Sequence, residues 1–167
     1  CGDDADRHLL RAEHSARQHI GSDEERRAQQ RGERQQAPVV LAEDEAIFRD
    51  SVRAFAEAQV GPLVRDMDEH ARIPRTLIDQ LFELGVMGIE VPESHGGAGG
   101  RFFHSVLAVE ELSRVDPSVG VLVDVQNTLV INALLRWGSE DVRRRYLQRL
   151  ASDTIGAYAL SEAGSGS

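Results

Sequence analysis

Apolar residues recur at helical spacing through most of the chain beyond position 40. Phe48, Val52 and Phe55 lie at i, i+4 and i+7, which predicts an amphipathic helix over 43–59, interrupted afterwards by Gly61-Pro62. The same kind of pattern predicts four more helices, and residues that commonly start or stop a helix lie at their ends. These helices are predicted at about 73–85, at 102–113, at 116–137 and from Ser139 onward.

The fourth helix is the most apolar. Asp116 is expected to cap it, with Pro117 at the first helical position, where its missing N–H costs nothing. A helix that is apolar on all sides is normally central in its bundle, so we expect this one to be central. In the fifth helix, Val142, Tyr146 and Leu150 are expected to point inward, and its arginines toward solvent.

A single stretch, Thr154 to Leu160, has the pattern of a strand. The predicted fold class is therefore all-α, a helical bundle that ends in the first strand of a following β-domain. The predicted division of the chain is 1–40, 41–153 and 154–167.

The first forty residues contain no aromatic side chain, but they carry eight acidic residues and seven arginines. Such a segment buries too little apolar surface to offset the entropy lost on ordering. We expect it to be disordered or a frayed helix. An interaction tail is the functional alternative.

The composition limits the possible partners. The chain of 167 residues carries a net charge of −9, and all 19 of its basic residues are Arg. This acidic balance disfavours nucleic acid and anionic lipid as partners. The apolar run from Val119 to Leu135 is interrupted by Asp124 and by amide side chains, so no membrane span is predicted.

No metal site is predicted. Cys1 is the only cysteine, which excludes an intrachain disulfide and cysteine-ligated zinc or iron–sulfur sites. The six histidines also lack the spacing of a helical metal site.

Two further features allow alternative interpretations. The glycine-rich turn 96–100 precedes a helix and could hold an anion through free N–H groups, or it could be a simple turn. Gln126 and Asn127 lie in the most apolar helix and require hydrogen-bond partners if buried. They could line a pocket or tie helices together.

The last ten residues carry the most specific signal. A predicted strand ends there in a turn of small and hydroxyl residues, which suits an oxygen-rich ligand but also a domain linker. Their sequence is Tyr158-Ala159-Leu160-Ser161-Glu162-Ala163-Gly164-Ser165-Gly166-Ser167.

This segment resembles the flavin-binding signature that opens the middle domain of the acyl-CoA dehydrogenase family. The stretches 88–97 and 109–116 resemble two further motifs of that family, in the same order along the chain. The resemblance extends over about 41–167 and leaves 1–40 unexplained. The sequences at 87–90 and 125–129 are most similar to the short/branched-chain subgroup.

The resemblance implies an FAD-dependent oxidoreductase of fatty-acid and branched-chain amino-acid degradation. In the family, a glutamate removes the α-proton of an acyl-CoA while the flavin takes the β-hydride. The product is a trans-2-enoyl-CoA, and an electron-transfer flavoprotein receives the electrons. A homotetramer is also implied.

The resemblance also assigns residues. Tyr158, Leu160 and Ser161 would contact the flavin ring, and Gly166 and Ser167 would approach its pyrophosphate. Ser167 would also reach the thioester, while Val125 and Gln126 would lie at the far end of the acyl pocket.

The family's catalytic glutamate and its later domains correspond to positions beyond Ser167. We therefore expect these residues alone to be inactive, with no catalytic residue among them, and the parent protein to be the enzyme. A helical interaction module without catalysis and an acyl-CoA oxidase-like flavoenzyme are the alternatives. The Arg-biased sequence favours a bacterial cytoplasm, with the mitochondrial matrix as the alternative.

Overall fold

The structure is a computed structural model that describes residues 40–165. The chain divides into two units, 1–40 and 41–167. The predicted disordered or frayed segment lies outside the described residues, except for Val40. The described part of the second unit is helical, which confirms the predicted class.

The predicted helices occur in the predicted order, and an additional helix, Val64–His70, was not predicted. Their ends agree with the start and stop residues in the sequence, notably Pro74 before the third helix and Gly85, at φ +83°, after it. The α-helices of the second unit are α1 (Glu43–Phe55), α2 (Val64–His70), α3 (Arg75–Glu83), α4 (Phe102–Ser113), α5 (Pro117–Asp124), α6 (Asn132–Trp137) and α7 (Glu140–Ser152).

Two caps have the predicted geometry. The Asp116 carboxylate accepts hydrogen bonds from the backbone N–H groups of Ser118 and Val119 at the start of α5. The Ser139 hydroxyl oxygen accepts from Val142 N–H at the start of α7. Each cap satisfies amides that have no partner within the helix, which fixes the point where the helix begins.

Gly61-Pro62 does not interrupt the first helix, contrary to the prediction. A π-helical turn over Ala56–Val60 and a 3₁₀ turn over Gly61–Leu63 connect α1 to α2 without a loop. The change of hydrogen-bond register accommodates a proline that could not sit in a regular α-helix. The helical path ends only at Ala71, whose φ is +47°.

The core has two parts. The larger one joins α1, α3, α4 and α5 with the stretch 86–89, and the smaller one joins α7 with Val91 and Ile131. The largest fully buried apolar side chains are Leu77, Leu81, Met87, Ile89, Leu112, Ile131, Leu147, Val52, Val60, Val86 and Val91.

The most apolar helix contributes to both parts of the core, but it is not buried on all sides as its composition suggested. α5 and α6 form one helix through a π-helical turn at Val125–Ile131, but only one side of it is buried, and Val121 is 58% exposed. Its composition makes several of its faces apolar, but within the described residues the other helices cover only one of them. By length and composition alone this helix could cross a membrane, a test that core helices also pass.

The inward face of α7 is also shifted. Leu150 is buried as predicted, together with Leu147 and Ala151, whereas Tyr146 is 39% exposed, with the Arg145 guanidinium 5.4 Å from its ring centre. Leu147 packs in the cluster with Ile131, which selects a face one residue away from the predicted one. Arg143 is half-buried and donates to the carbonyls of Leu134 and Leu135, which satisfies the end of α6.

The predicted strand at 154–160 is absent from the described residues. Its β-type sequence remains without regular structure because a strand requires a partner for its backbone groups, and the described residues offer none. The single bridge there joins Glu162 to Ser165 within a tight turn.

The glycine turn at 96–100 folds back on the preceding stretch. The N–H groups of all five residues donate to backbone carbonyls of residues 88–93, at 2.7–3.3 Å. The possible anion site therefore has no free amides, and the simple-turn interpretation is the one that the structure supports. At Gly97 the backbone lies against Val91 so closely that a Cβ atom would overlap the Val91 carbonyl oxygen.

An ion pair between Arg53 and Glu111 joins α1 to α4. Arg53 donates to both carboxylate oxygens of Glu111, at 2.8 and 2.7 Å, and Glu111 is only 2% exposed. The hydrogen bonds from Arg53 hold the pKa of Glu111 below its usual value, against the opposing effect of burial.

We expect Gly97→Ala to lower the free energy of unfolding by about 3 kcal/mol, because the added methyl group must push against the Val91 backbone. Gly164→Ala is the control, since its Cβ would have no atom within 4 Å. Urea unfolding of both variants measures the difference. Equal stability of the two would contradict the close packing at Gly97.

We expect Glu111→Gln to lower the free energy of unfolding at neutral pH by about 1–3 kcal/mol, because it removes a charge-assisted pair. Since the folded pKa is depressed, the pair's contribution is full above the unfolded value of about 4.3 and is lost as the pH falls through the folded one. The variant should therefore lose less stability than the wild type on acidification.

Urea unfolding between neutral pH and about pH 3 measures this difference. The control is Asp79→Asn, which breaks the exposed pair with Arg75 and should cost less than about 1 kcal/mol. Parallel pH profiles for the wild type and Glu111→Gln would show that the pair does not contribute.

Candidate functional site

Two adjacent buried amides occupy the π-helical turn at Val125–Ile131 and point to different segments. Asn127 donates to the carbonyls of Val86 and Val123, at 2.8 and 2.9 Å, and accepts from Ile89 N–H at 3.0 Å. It therefore ties its helix to the stretch that follows α3.

Gln126 makes the corresponding contacts on the other side. Its Nε2 donates to the carbonyls of Leu150 and Thr154, at 2.7 and 3.0 Å, and its Oε1 accepts from Gly156 N–H at 2.8 Å. The side chain is 0% exposed. In this conformation it has no surface left for a ligand, and it serves as a tie between segments.

A backbone hydrogen bond and a close packing contact also fix the chain that follows α7. Thr154 N–H donates to the Arg149 carbonyl at 2.9 Å, which closes the end of the helix. Gly156 then lies so close to Val130 that a Cβ atom would overlap the Val130 side chain. This close approach requires glycine at position 156.

The predicted flavin-binding residues follow directly. Tyr158 and Leu160 are 52% and 61% exposed, and 161–165 are exposed as well. Glu162 and Ser165 close a tight turn through reciprocal backbone hydrogen bonds of 3.1 Å. Tyr158, Ala159, Leu160, Ser161, Glu162, Ala163, Gly164 and Ser165 thus form one exposed segment, and Gly166 and Ser167 lie outside the described residues.

The chemistry of this segment fits a flavin. An aromatic and an aliphatic side chain offer apolar surface to a flat ring, and the nearby hydroxyl groups of Ser161 and Ser165 can pair with polar ring edges. Gly164 leaves open space on the turn, since no heavy atom lies within 4 Å of where its Cβ would be. The segment therefore offers the two kinds of group, apolar side chains and hydroxyls, that the predicted ligand would contact.

Other candidates do not join this segment. Val125 is half-buried and begins the π-helical turn. A groove of about 390 Å³ lies between α4 and the helix that α5 and the π-helical turn form. A second groove, of about 490 Å³, lies between the end of α2 and the start of α5. Neither groove is lined by a predicted site residue. Among residues 40–165, no three His, Cys, Asp or Glu side chains come close enough to hold a metal ion.

Thr154 and Gly156 were not predicted as part of the site. A glycine inside a run of strand-forming residues often marks a close backbone approach, so Gly156 carried a usable signal. The residues that Gly156 contacts, Gln126 and Val130 on a distant helix, could not be read from the local sequence.

Comparison with known proteins agrees with this architecture. Residues 42–154 match the family model described as "Acyl-CoA dehydrogenase, N-terminal domain". The chain is 46% identical over 129 residues to a probable short/branched chain specific acyl-CoA dehydrogenase of Dictyostelium discoideum, covering 77% of this chain and 31% of that protein.

Two solved structures are similar. One is a chain from a study of the electron transferring flavoprotein of Acidaminococcus fermentans (TM-score 0.71, 34% identity, 78% of this chain and 34% of that one). The other is acyl-CoA dehydrogenase from Geobacillus kaustophilus (TM-score 0.69, 30% identity, 75% and 33%).

The chain spans about a third of the length of the curated relatives that it matches. The family model covers more than half of the chain, in the part that forms the helical unit described above. The chain therefore belongs to the acyl-CoA dehydrogenase family and contains that family's N-terminal domain.

Proposed function

We propose that the protein containing this chain is an FAD-dependent acyl-CoA dehydrogenase. It would convert short or 2-methyl-branched acyl-CoA to trans-2-enoyl-CoA and pass the electrons to an electron-transfer flavoprotein. The observation that carries the proposal is the exposed segment 158–165, which directly follows a helical domain of this family.

The chain's own residues would hold the cofactor by surface and by hydrogen bonds. Tyr158 and Leu160 would pack against the flavin ring, and the Ser161 hydroxyl would hydrogen-bond to its pyrimidine edge. Gly166 and Ser167, outside the described residues, would approach the pyrophosphate, and Ser167 would also reach the thioester. When bound, the flavin supplies the acceptor for the hydride that leaves the substrate.

The substrate class rests on sequence likeness. The Dictyostelium relative is named as specific for short and branched chains, which supports the same range here. Val125, on the π-helical turn, is the residue that we assign to the far end of the acyl pocket. The resemblance assigns Gln126 to the same pocket. Its side chain is fully buried, which supports an indirect contribution to substrate binding.

The acceptor and the assembly are further parts of the proposal. The structural likeness to a chain studied with an electron transferring flavoprotein supports that class of acceptor. A homotetramer is proposed from the family resemblance.

We expect the full-length protein to purify with bound FAD, and the flavin absorbance to bleach when acyl-CoA is added without oxygen. A 2-methyl-branched and a straight four-carbon acyl-CoA should bleach it faster than a long straight-chain one. Stopped-flow absorbance measures the rates. Rapid reoxidation of the reduced enzyme by oxygen would indicate an oxidase, and no flavin binding at all would reject the proposal.

We expect Tyr158→Ala to weaken FAD binding by about tenfold, because it removes apolar surface against the ring. Tyr146→Ala is the matched control, since Tyr146 is also a partly exposed tyrosine but lies on α7. Titration of the flavin-free protein with FAD gives both dissociation constants. Equal affinities for the two variants would remove Tyr158 from the site.

A further inference from the structure

We propose that Gln126 is a positioning residue for the flavin: it fixes the chain that enters the flavin-binding segment against the helix that begins the acyl pocket. This inference rests on the proposed function. Gln126 would act without touching either ligand, because its side chain is fully buried.

The first argument is that the amide is completely used. A glutamine side chain has two N–H donors, and both are taken by the carbonyls of Leu150 and Thr154. Its carbonyl oxygen accepts from Gly156 N–H at 2.8 Å. Burying an amide in an apolar helix is costly unless such bonds are made, so the three contacts specify one arrangement of these segments.

The second argument is the place of attachment. The hydrogen bonds reach Thr154 and Gly156, and Gly156 is also pressed against Val130 on the same π-helical turn. Tyr158 follows two residues later, which limits its Cα to about 7 Å from that of Gly156. Since 158–165 are exposed, the anchor at 154–156 is what ties the start of this segment to the helical domain.

The third argument is the other end of the tie. Gln126 lies next to Val125, which we assign to the acyl pocket. One buried side chain thus connects the backbone that carries the proposed substrate contact to the backbone that carries the flavin contacts. The separation of the two ligands, on which hydride transfer depends, would follow from this connection.

The test uses the full-length protein and two matched variants. Gln126→Met and Asn127→Leu each remove a fully buried amide with three hydrogen bonds to backbone groups, and both should lower the melting temperature. Asn127 holds the 86–89 stretch instead of the flavin segment, so it controls for a general loss of stability.

We expect Gln126→Met to weaken FAD binding by about tenfold and to change the visible circular dichroism of the bound flavin. Asn127→Leu should change the affinity by less than about twofold and leave the dichroism unaltered. Equal effects of the two variants, or wild-type flavin properties in Gln126→Met, would overturn the inference.

A readout without flavin separates this inference from the proposed function. In the flavin-free protein, Gln126→Met should speed hydrogen exchange of the Gly156 amide and spare that of Ile89, and Asn127→Leu should do the reverse. Unchanged exchange at Gly156 would reject the anchor itself. If the exchange results hold but the wild type binds no FAD, the proposed function fails, and the positioning role fails with it.

Discussion

The structure depends on two neighbouring amides that are buried in its most apolar helix. Gln126 and Asn127 together make six hydrogen bonds with their side chains. Five of these bonds reach segments outside the helix, and the sixth joins Asn127 to Val123 within it. Adjacent residues on a helix point in different directions, so the pair can hold two different segments at once. The stretch after α3 and the chain after α7 are both located by this one turn of helix.

The same turn explains how a helical domain can hold the start of the proposed flavin-binding segment without a sheet. The residues after α7 have the sequence of a strand, but within the described part of the chain they have no strand to pair with. Hydrogen bonds of the Gln126 side-chain amide, and the contact of Gly156 with Val130, take the place of inter-strand hydrogen bonds at 154–156. The chain is therefore fixed at 154–156 and exposed where Tyr158 and Leu160 lie.

Helix positions were predictable because their signals are local. The caps at Asp116 and Ser139 and the stop at Gly85 act within one helical turn, so neighbouring residues suffice to predict them. The inward face of α7 was predictable only in part, because Val142 and Tyr146 are spaced from the buried Leu150 as regularly as the buried Leu147 is. Which face turns inward depends on Ile131 and Val91, which are distant in sequence.

By itself, the sequence determined the helical class, the order of the predicted helices and the family resemblance, and it led us to propose 158–167 as the flavin-binding segment, since each depends on short-range pattern or on motif. Only the tertiary structure decided that the glycine turn uses its amides on its own backbone, that the apolar helix is buried on one side, and that Gln126 ties 154–156 to the π-helical turn. Those features are contacts between distant residues, and a residue's partner is fixed by packing and not by its neighbours in the chain.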